Sequence, residues 1–151
     1  MTTAGRSQPG RSAVGPSILR AVAVIGLAID AYVHLHLAPN FDPIGTSITQ
    51  GGLFRAEAAA ATVAAVYLLV RDSRRAWLLA GAVAVAGLAA ILVTRYIQVP
   101  AIGPIPAMYD PIWYTEKVVA LLAMAGTVLA WLVREGGTAM ASRPRAGQSG
   151  R

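Results

Sequence analysis

Four long apolar stretches, separated by short polar or proline-rich segments, dominate the pattern along the chain. They run over residues 17–37, 53–70, 76–99 and 112–133. A helix that crosses a bilayer needs about 20 mostly apolar residues, so each stretch predicts one spanning helix. Only Arg71-Asp72-Ser73-Arg74-Arg75 separates the second from the third, and so short a connection makes antiparallel neighbours of them. The ends read differently. Residues 1–16 and 135–151 are rich in Gly, Ser, Thr and Pro and lack apolar periodicity, which predicts disordered tails on either side of a membrane domain at 17–134.

Charge sets the orientation. Arg6, Arg11 and Arg20 come before or at the start of the first run, Arg71, Arg74 and Arg75 lie between the second and third, and Arg134, Arg143, Arg145 and Arg151 follow the fourth. The other two connections, 38–52 and 100–111, hold no Lys or Arg. The positive-inside rule places both termini and the 71–75 turn in the cytoplasm. Asp30, His34 and His36 interrupt the first run and no small-x-small cleavage site follows it, which favours a retained helix over a signal peptide. Trp77 and Trp131 near the inner ends, with Tyr96, Trp113 and Tyr114 near the outer ends, match the aromatic belts expected at membrane interfaces. The fold expected is an all-α, antiparallel four-helix bundle integral to the plasma membrane.

Composition agrees. The 151 residues are 56% hydrophobic and 13% charged, with mean hydropathy +0.56, against about 25% charged in soluble domains. The absence of cysteine excludes disulfide scaffolds and thiolate metal sites. The net charge of +6 is spread as arginines flanking apolar runs, so nucleic acid is not an expected partner; the bilayer is. So much Ala and Gly also suits pairing as a homodimer or within a larger membrane complex.

The ionisable residues within the spans crowd the outer half. Asp30 lies roughly 10 Å below the outer surface at 1.5 Å per residue, where a charge costs about 2.5–3.5 kcal/mol on insertion scales. It must be neutral, paired or wet. Gly26, Asp30 and His34 share one helix face, and His36 faces away. Glu57 heads a stripe with Ala61, Ala64 and Leu68, and Glu116 heads one with Ala120, Ala123 and Thr127. Small-residue stripes face helix partners, so both glutamates are expected to point inward. Arg55, Arg95 and Lys117 supply three positive charges against the three of Asp30, Glu57 and Glu116. The set Asp30, His34, Arg55, Glu57, Arg95, Glu116 and Lys117 is therefore a candidate buried polar cluster that neutralises itself and pins the helices, with Lys117 and Arg95 also able to snorkel outward.

The same residues admit other chemistry. Asp30, His34, Glu57 and Glu116 are suitable ligands for a divalent metal, and carboxylate-plus-His sets hold metals in four-helix bundles. They can relay protons, and His34 with Arg95 can hold a quinone or an anionic head group. Haem ligation is disfavoured, because both histidines are on one helix. The apolar connection 99–111, with Pro100, Pro104, Pro106 and Pro111, cannot form a long helix and is expected to lie over the outer mouth as a cap or lid. A phrase also repeats. Phe41-Asp42-Pro43-Ile44 precedes Phe54-Arg55-Ala56-Glu57, and Tyr109-Asp110-Pro111-Ile112 precedes Trp113-Tyr114-Thr115-Glu116. It fits either two related hairpins or two Asp-Pro helix starts.

The phrases His34-Leu35-His36-Leu37-Ala38-Pro39, Gln50-Gly51-Gly52-Leu53-Phe54-Arg55-Ala56-Glu57, Arg95-Tyr96 and Gly103-Pro104-Ile105-Pro106-Ala107-Met108-Tyr109-Asp110-Pro111, continuing through Ile112-Trp113-Tyr114-Thr115-Glu116-Lys117, resemble a group of small four-span membrane proteins from actinobacteria. That resemblance covers the membrane domain and implies its architecture. In span count and size the chain is also similar to DoxX-like four-helix membrane proteins, some of which are linked to quinone-dependent redox chemistry. Three functions fit. The first is a non-catalytic accessory or structural subunit, for which no cofactor is expected. The second is a metal- or quinone-binding redox protein, and the third a small proton-coupled transporter.

Overall fold

The computed structural model describes residues 14–45 and 47–141. They form four helices: α1 (Val14–Phe41), α2 (Gln50–Val70), α3 (Arg74–Tyr96) and α4 (Thr115–Ala141). Each is long and apolar enough to cross a membrane, and the described residues contain isolated β-bridges but no named strand. α1 packs mainly on α2 and α4, while α3 packs on α4 and α2.

Helix ends depart from the sequence expectation in several places. α1 runs to Phe41, past Pro39. A proline in the last turn removes a single backbone donor, which is too little to stop a helix there. α4 begins at Thr115, three residues later than expected, and continues to Ala141 through Gly136 and Gly137. Glu135, next to Arg134 and facing Arg74 at 3.8 Å, anchors that extra length, so residues 135–141 are helix where a disordered tail was expected. Residues 14–16 are helical too; the rest of both tails lies outside the described residues. α3 stops at Tyr96, three residues short of the expected end, and Ile97 caps it in extended backbone.

The connections are built from identifiable parts. Thr49 is the N-cap of α2, its hydroxyl accepting from the Gly52 amide at 2.9 Å. Ser73 does the same for Ala76 at the head of α3. The Asp-Pro pairs therefore do not start the helices. The connection between α3 and α4 is a small hairpin. Val99 and Met108 exchange backbone hydrogen bonds of 3.0 and 2.9 Å, and Ile102 and Ile105 exchange bonds of 3.1 and 3.0 Å. Its turn holds Gly103 at φ 57°, left-handed backbone that favours glycine.

The interior is made of small residues. The stripe Ala61, Ala64 and Leu68 of α2 is fully buried, as are Ala76, Ala80 and Ala84 of α3 and Ala23 and Leu27 of α1. Glycines let the helices touch. A Cβ on Gly26 would lie 2.7 Å from the Ala123 carbonyl oxygen and collide with the Thr127 hydroxyl, and one on Gly81 would enter the Trp131 ring. Trp77 is 0% exposed, its indole donating to Asp72 at 2.7 Å with Arg134 over the ring. It is a core residue and not part of a lipid-facing belt, and its N–H reaches the exposed Asp72 in the turn. Valines and leucines such as Val63, Val66, Leu69, Leu122, Leu129 and Leu132 cover the outside.

Candidate functional site

A cavity of about 430 Å³ lies among the helices at the end that carries the 42–49 and 97–114 connections. Its walls are apolar, from Val33, Leu37, Phe41, Leu53, Phe54, Ile91 and Met108, with His34, Gln50, Glu57, Thr94, Tyr109, Asp110, Tyr114 and Lys117 placed among them. Mostly apolar cavities of this size with a few converging polar groups are the usual form of a small-molecule site. The hairpin contributes Met108, Tyr109 and Asp110. It is tied down by Asp110 N–H to the Thr94 carbonyl at 2.9 Å and by the Gln50 side chain to the Ala107 carbonyl at 2.8 Å.

Asp30 is completely buried. One turn above it, His34 places Nδ1 3.0 Å from the Asp30 carbonyl oxygen and 3.2 Å from its carboxylate. The ring N–H is aimed at the carbonyl, so the carboxylate has a polar neighbour but no aligned hydrogen bond. The outer edge of His34 meets Phe54, which in turn packs on Phe41. Glu57 projects from α2 towards Gly87 of α3; a Cβ there would sit 3.0 Å from Glu57 Oε1 and near Met124. That oxygen is buried and has no hydrogen-bond partner. Glu57 is also within electrostatic reach of Asp30 and His34.

The cations expected to neutralise these acids are engaged elsewhere. Arg55 makes a two-pronged pair with Asp42, at 2.6 and 2.7 Å, and those hydrogen bonds hold the Asp42 carboxyl below the usual carboxylate range. Lys117 is 6% exposed and lies 2.6 Å from the Asp110 carboxylate and 2.7 Å from its carbonyl, above the Tyr114 ring. Arg95 stacks on Tyr96 and Trp113. Among the described residues no Lys or Arg forms an ion pair with Asp30 or Glu57. The self-neutralising network is thus not what the helices assemble.

Lys117 is buried, as its place in the candidate cluster requires, whereas Glu116 does not turn inward with it. The buried positions of α4 are Lys117, Ala120, Met124, Thr127 and Ala130, a phase that turns Lys117 inward. Glu116 neither lines the cavity nor makes an ion pair among the described residues. The four-residue metal set Asp30, His34, Glu57 and Glu116 is accordingly not brought together, and no three His, Asp or Glu of the described residues are placed to share a metal ion. His36 is exposed and stacks on Tyr32, facing away as expected.

Sequence reasoning placed Asp42, Tyr109, Asp110 and Tyr114 at this end but did not name them as candidate site residues. The available signal was the repeated aromatic-Asp-Pro-Ile phrase. In both copies its aspartate pairs with a cation in the first two turns of the next helix, Arg55 or Lys117. Tyr114 donates to Asp110 Oδ2 at 3.0 Å, and burial, then the Asp110 charge and hydrogen bond, raise its phenol well above the ordinary value. No protein family, curated protein or solved structure matches the chain.

Proposed function

We propose that the chain is a non-catalytic binding subunit of the plasma membrane. In this reading its four helices alternate in direction, its termini lie in the cytoplasm, and its cavity, on the outer side, holds a small, largely apolar ligand. The arginine distribution supports the orientation. The resemblance to small four-span actinobacterial proteins supports the architecture. The observation that carries the ligand reading is the buried, unpartnered carboxylate oxygen of Glu57 beside an apolar cavity. A buried polar atom without a partner is costly, and a bound molecule with a donor removes that cost.

A purely structural role for the cluster is less well supported, because the Arg and Lys pairs at this end lie on Asp42 and Asp110 and reach neither Asp30, whose one charged neighbour is His34, nor Glu57. Transport across the bilayer lacks a visible route. Beyond Asp30 the core is Ala23, Leu27, Leu68, Met124 and Trp77, and the hydroxyls of Thr62 and Thr127 are hydrogen-bonded to helix carbonyls.

Native mass spectrometry of the protein, released gently from its own membrane, tests the reading. Ala90 lines the cavity, so Ala90→Phe fills part of it. The expected result is an added small-molecule mass on the unsubstituted protein that Ala90→Phe removes. A bare polypeptide mass, or lipid alone on both, contradicts the proposal.

A further inference from the structure

Negative charge exceeds positive charge at the cavity. The carboxyls are Glu57 and Asp110 in its wall and Asp30 directly beneath His34. Lys117 and His34 are the basic groups. Tyr109 and Tyr114 add phenols, and α3 faces the cavity with residues that do not titrate. With all three carboxyls ionised, one negative charge is left over even when His34 is protonated. Lys117 cannot supply the balance, since its ammonium is held by both the carboxylate and the carbonyl of Asp110. Arg55 is held by Asp42, and Arg95, against the Tyr96 and Trp113 rings, keeps its charge but neither lines the cavity nor forms an ion pair with Glu57 or Asp30 among the described residues. An unpaired charge at this depth is expensive, so the site reaches neutrality either with a proton on a carboxyl or with a bound cation.

From this balance we infer that the cavity takes an organic monocation, a protonated amine or quaternary ammonium with an apolar body, and that the cation and a proton compete for Glu57, the unpartnered carboxylate in the wall. The inference rests on the reading of the cavity as a ligand site. A ligand that only accepts hydrogen bonds leaves Glu57 Oε1 unsatisfied, and an anion is repelled. A cation offsets the carboxylate's charge, and a protonated amine also donates to it, while Phe41, Phe54 and Tyr109 line the cavity with rings of the kind whose faces attract positive charge. The exchange balances: the carboxyl releases its proton to solvent, the cation takes that place, and no covalent bond to the ligand forms.

The test uses the full chain in lipid nanodiscs, titrated calorimetrically with benzyltrimethylammonium and with neopentylbenzene, its neutral carbon isostere. The cation should bind about tenfold or more tightly than the isostere. One proton should leave per cation bound, and affinity should rise with pH by up to about tenfold per unit. Glu57→Gln should weaken the cation about tenfold or more and reduce proton release, whereas Glu116→Gln, outside the cavity, should change neither. Proton release and the difference between the two compounds are read on the unsubstituted chain, so the test stands even if Glu57→Gln fails to fold. Equal affinity for both compounds, or cation binding without proton release, overturns the monocation while leaving a ligand cavity in place. Failure of both compounds to bind overturns it as well, and the mass measurement with Ala90→Phe then decides separately whether the cavity holds any ligand.

Discussion

Lys117 shows how one side chain decides the character of this end of the molecule. Its stem is buried while its ammonium reaches back to one carboxylate oxygen and the carbonyl of Asp110, which closes the 97–114 connection onto the helix it precedes. Lys117→Met keeps the stem and deletes the charge. Because Asp110 is itself partly exposed, the expected loss is about 1–3 kcal/mol, below what a fully buried pair forfeits. Thermal unfolding in nanodiscs measures it, and adding Asp110→Asn should recover part of the loss; an unchanged transition would show that the pair is not formed. Burial of Lys117 was expected, but that it and not Glu116 takes the inward phase of α4 was not legible beforehand. The stripes 116-120-123-127 and 117-120-124-127 share two positions, so the small residues alone do not choose between them. Asp30, by contrast, was legible: a carboxylate deep in an apolar run has to be buried, and its i, i+4 spacing to His34 brings the two together.

At the scale of the elements, the close approach of α1 and α4 depends on Gly26. Gly26→Ala should push the two helices apart, since the new Cβ meets the Ala123 carbonyl oxygen, and cost about 1–3 kcal/mol. Gly126→Ala is the matched control on the facing helix. Its Cβ would meet nothing closer than 4.0 Å, so helix propensity should leave it neutral or slightly stabilising. Comparing the two unfolding midpoints checks the packing directly, and equal midpoints would contradict it. The four elements themselves were legible because each is an uninterrupted apolar run. Their ends were less so. Pro39 reads as a stop but falls in a last turn, and Gly136-Gly137 reads as a tail although Arg74 and Arg134 at Glu135 support a helix there. The hairpin at 99–108 left only its prolines and Gly103 in the sequence, because its pairing is between backbone groups.

At the scale of the whole molecule, polarity is divided between two ends. One end gathers Arg20, whose guanidinium donates to the carbonyls of Leu68 and Leu69, with Asp72, Arg134 and Glu135. The other holds the cavity and its carboxylates. Between them lies a core of Ala, Leu, Met and Trp. Such a division suits a protein that receives a ligand from one side of the membrane and does not pass it through. That account depends on which side the cavity faces. The chain has no cysteine, so single cysteines report topology cleanly. Ile102→Cys at the exposed hairpin and Arg75→Cys at the opposite end should be treated, in intact cells, with a membrane-impermeant maleimide. The account predicts labelling of Ile102→Cys from outside and of Arg75→Cys only after permeabilisation. The reverse pattern would turn the cavity towards the cytoplasm and contradict an outward-facing site.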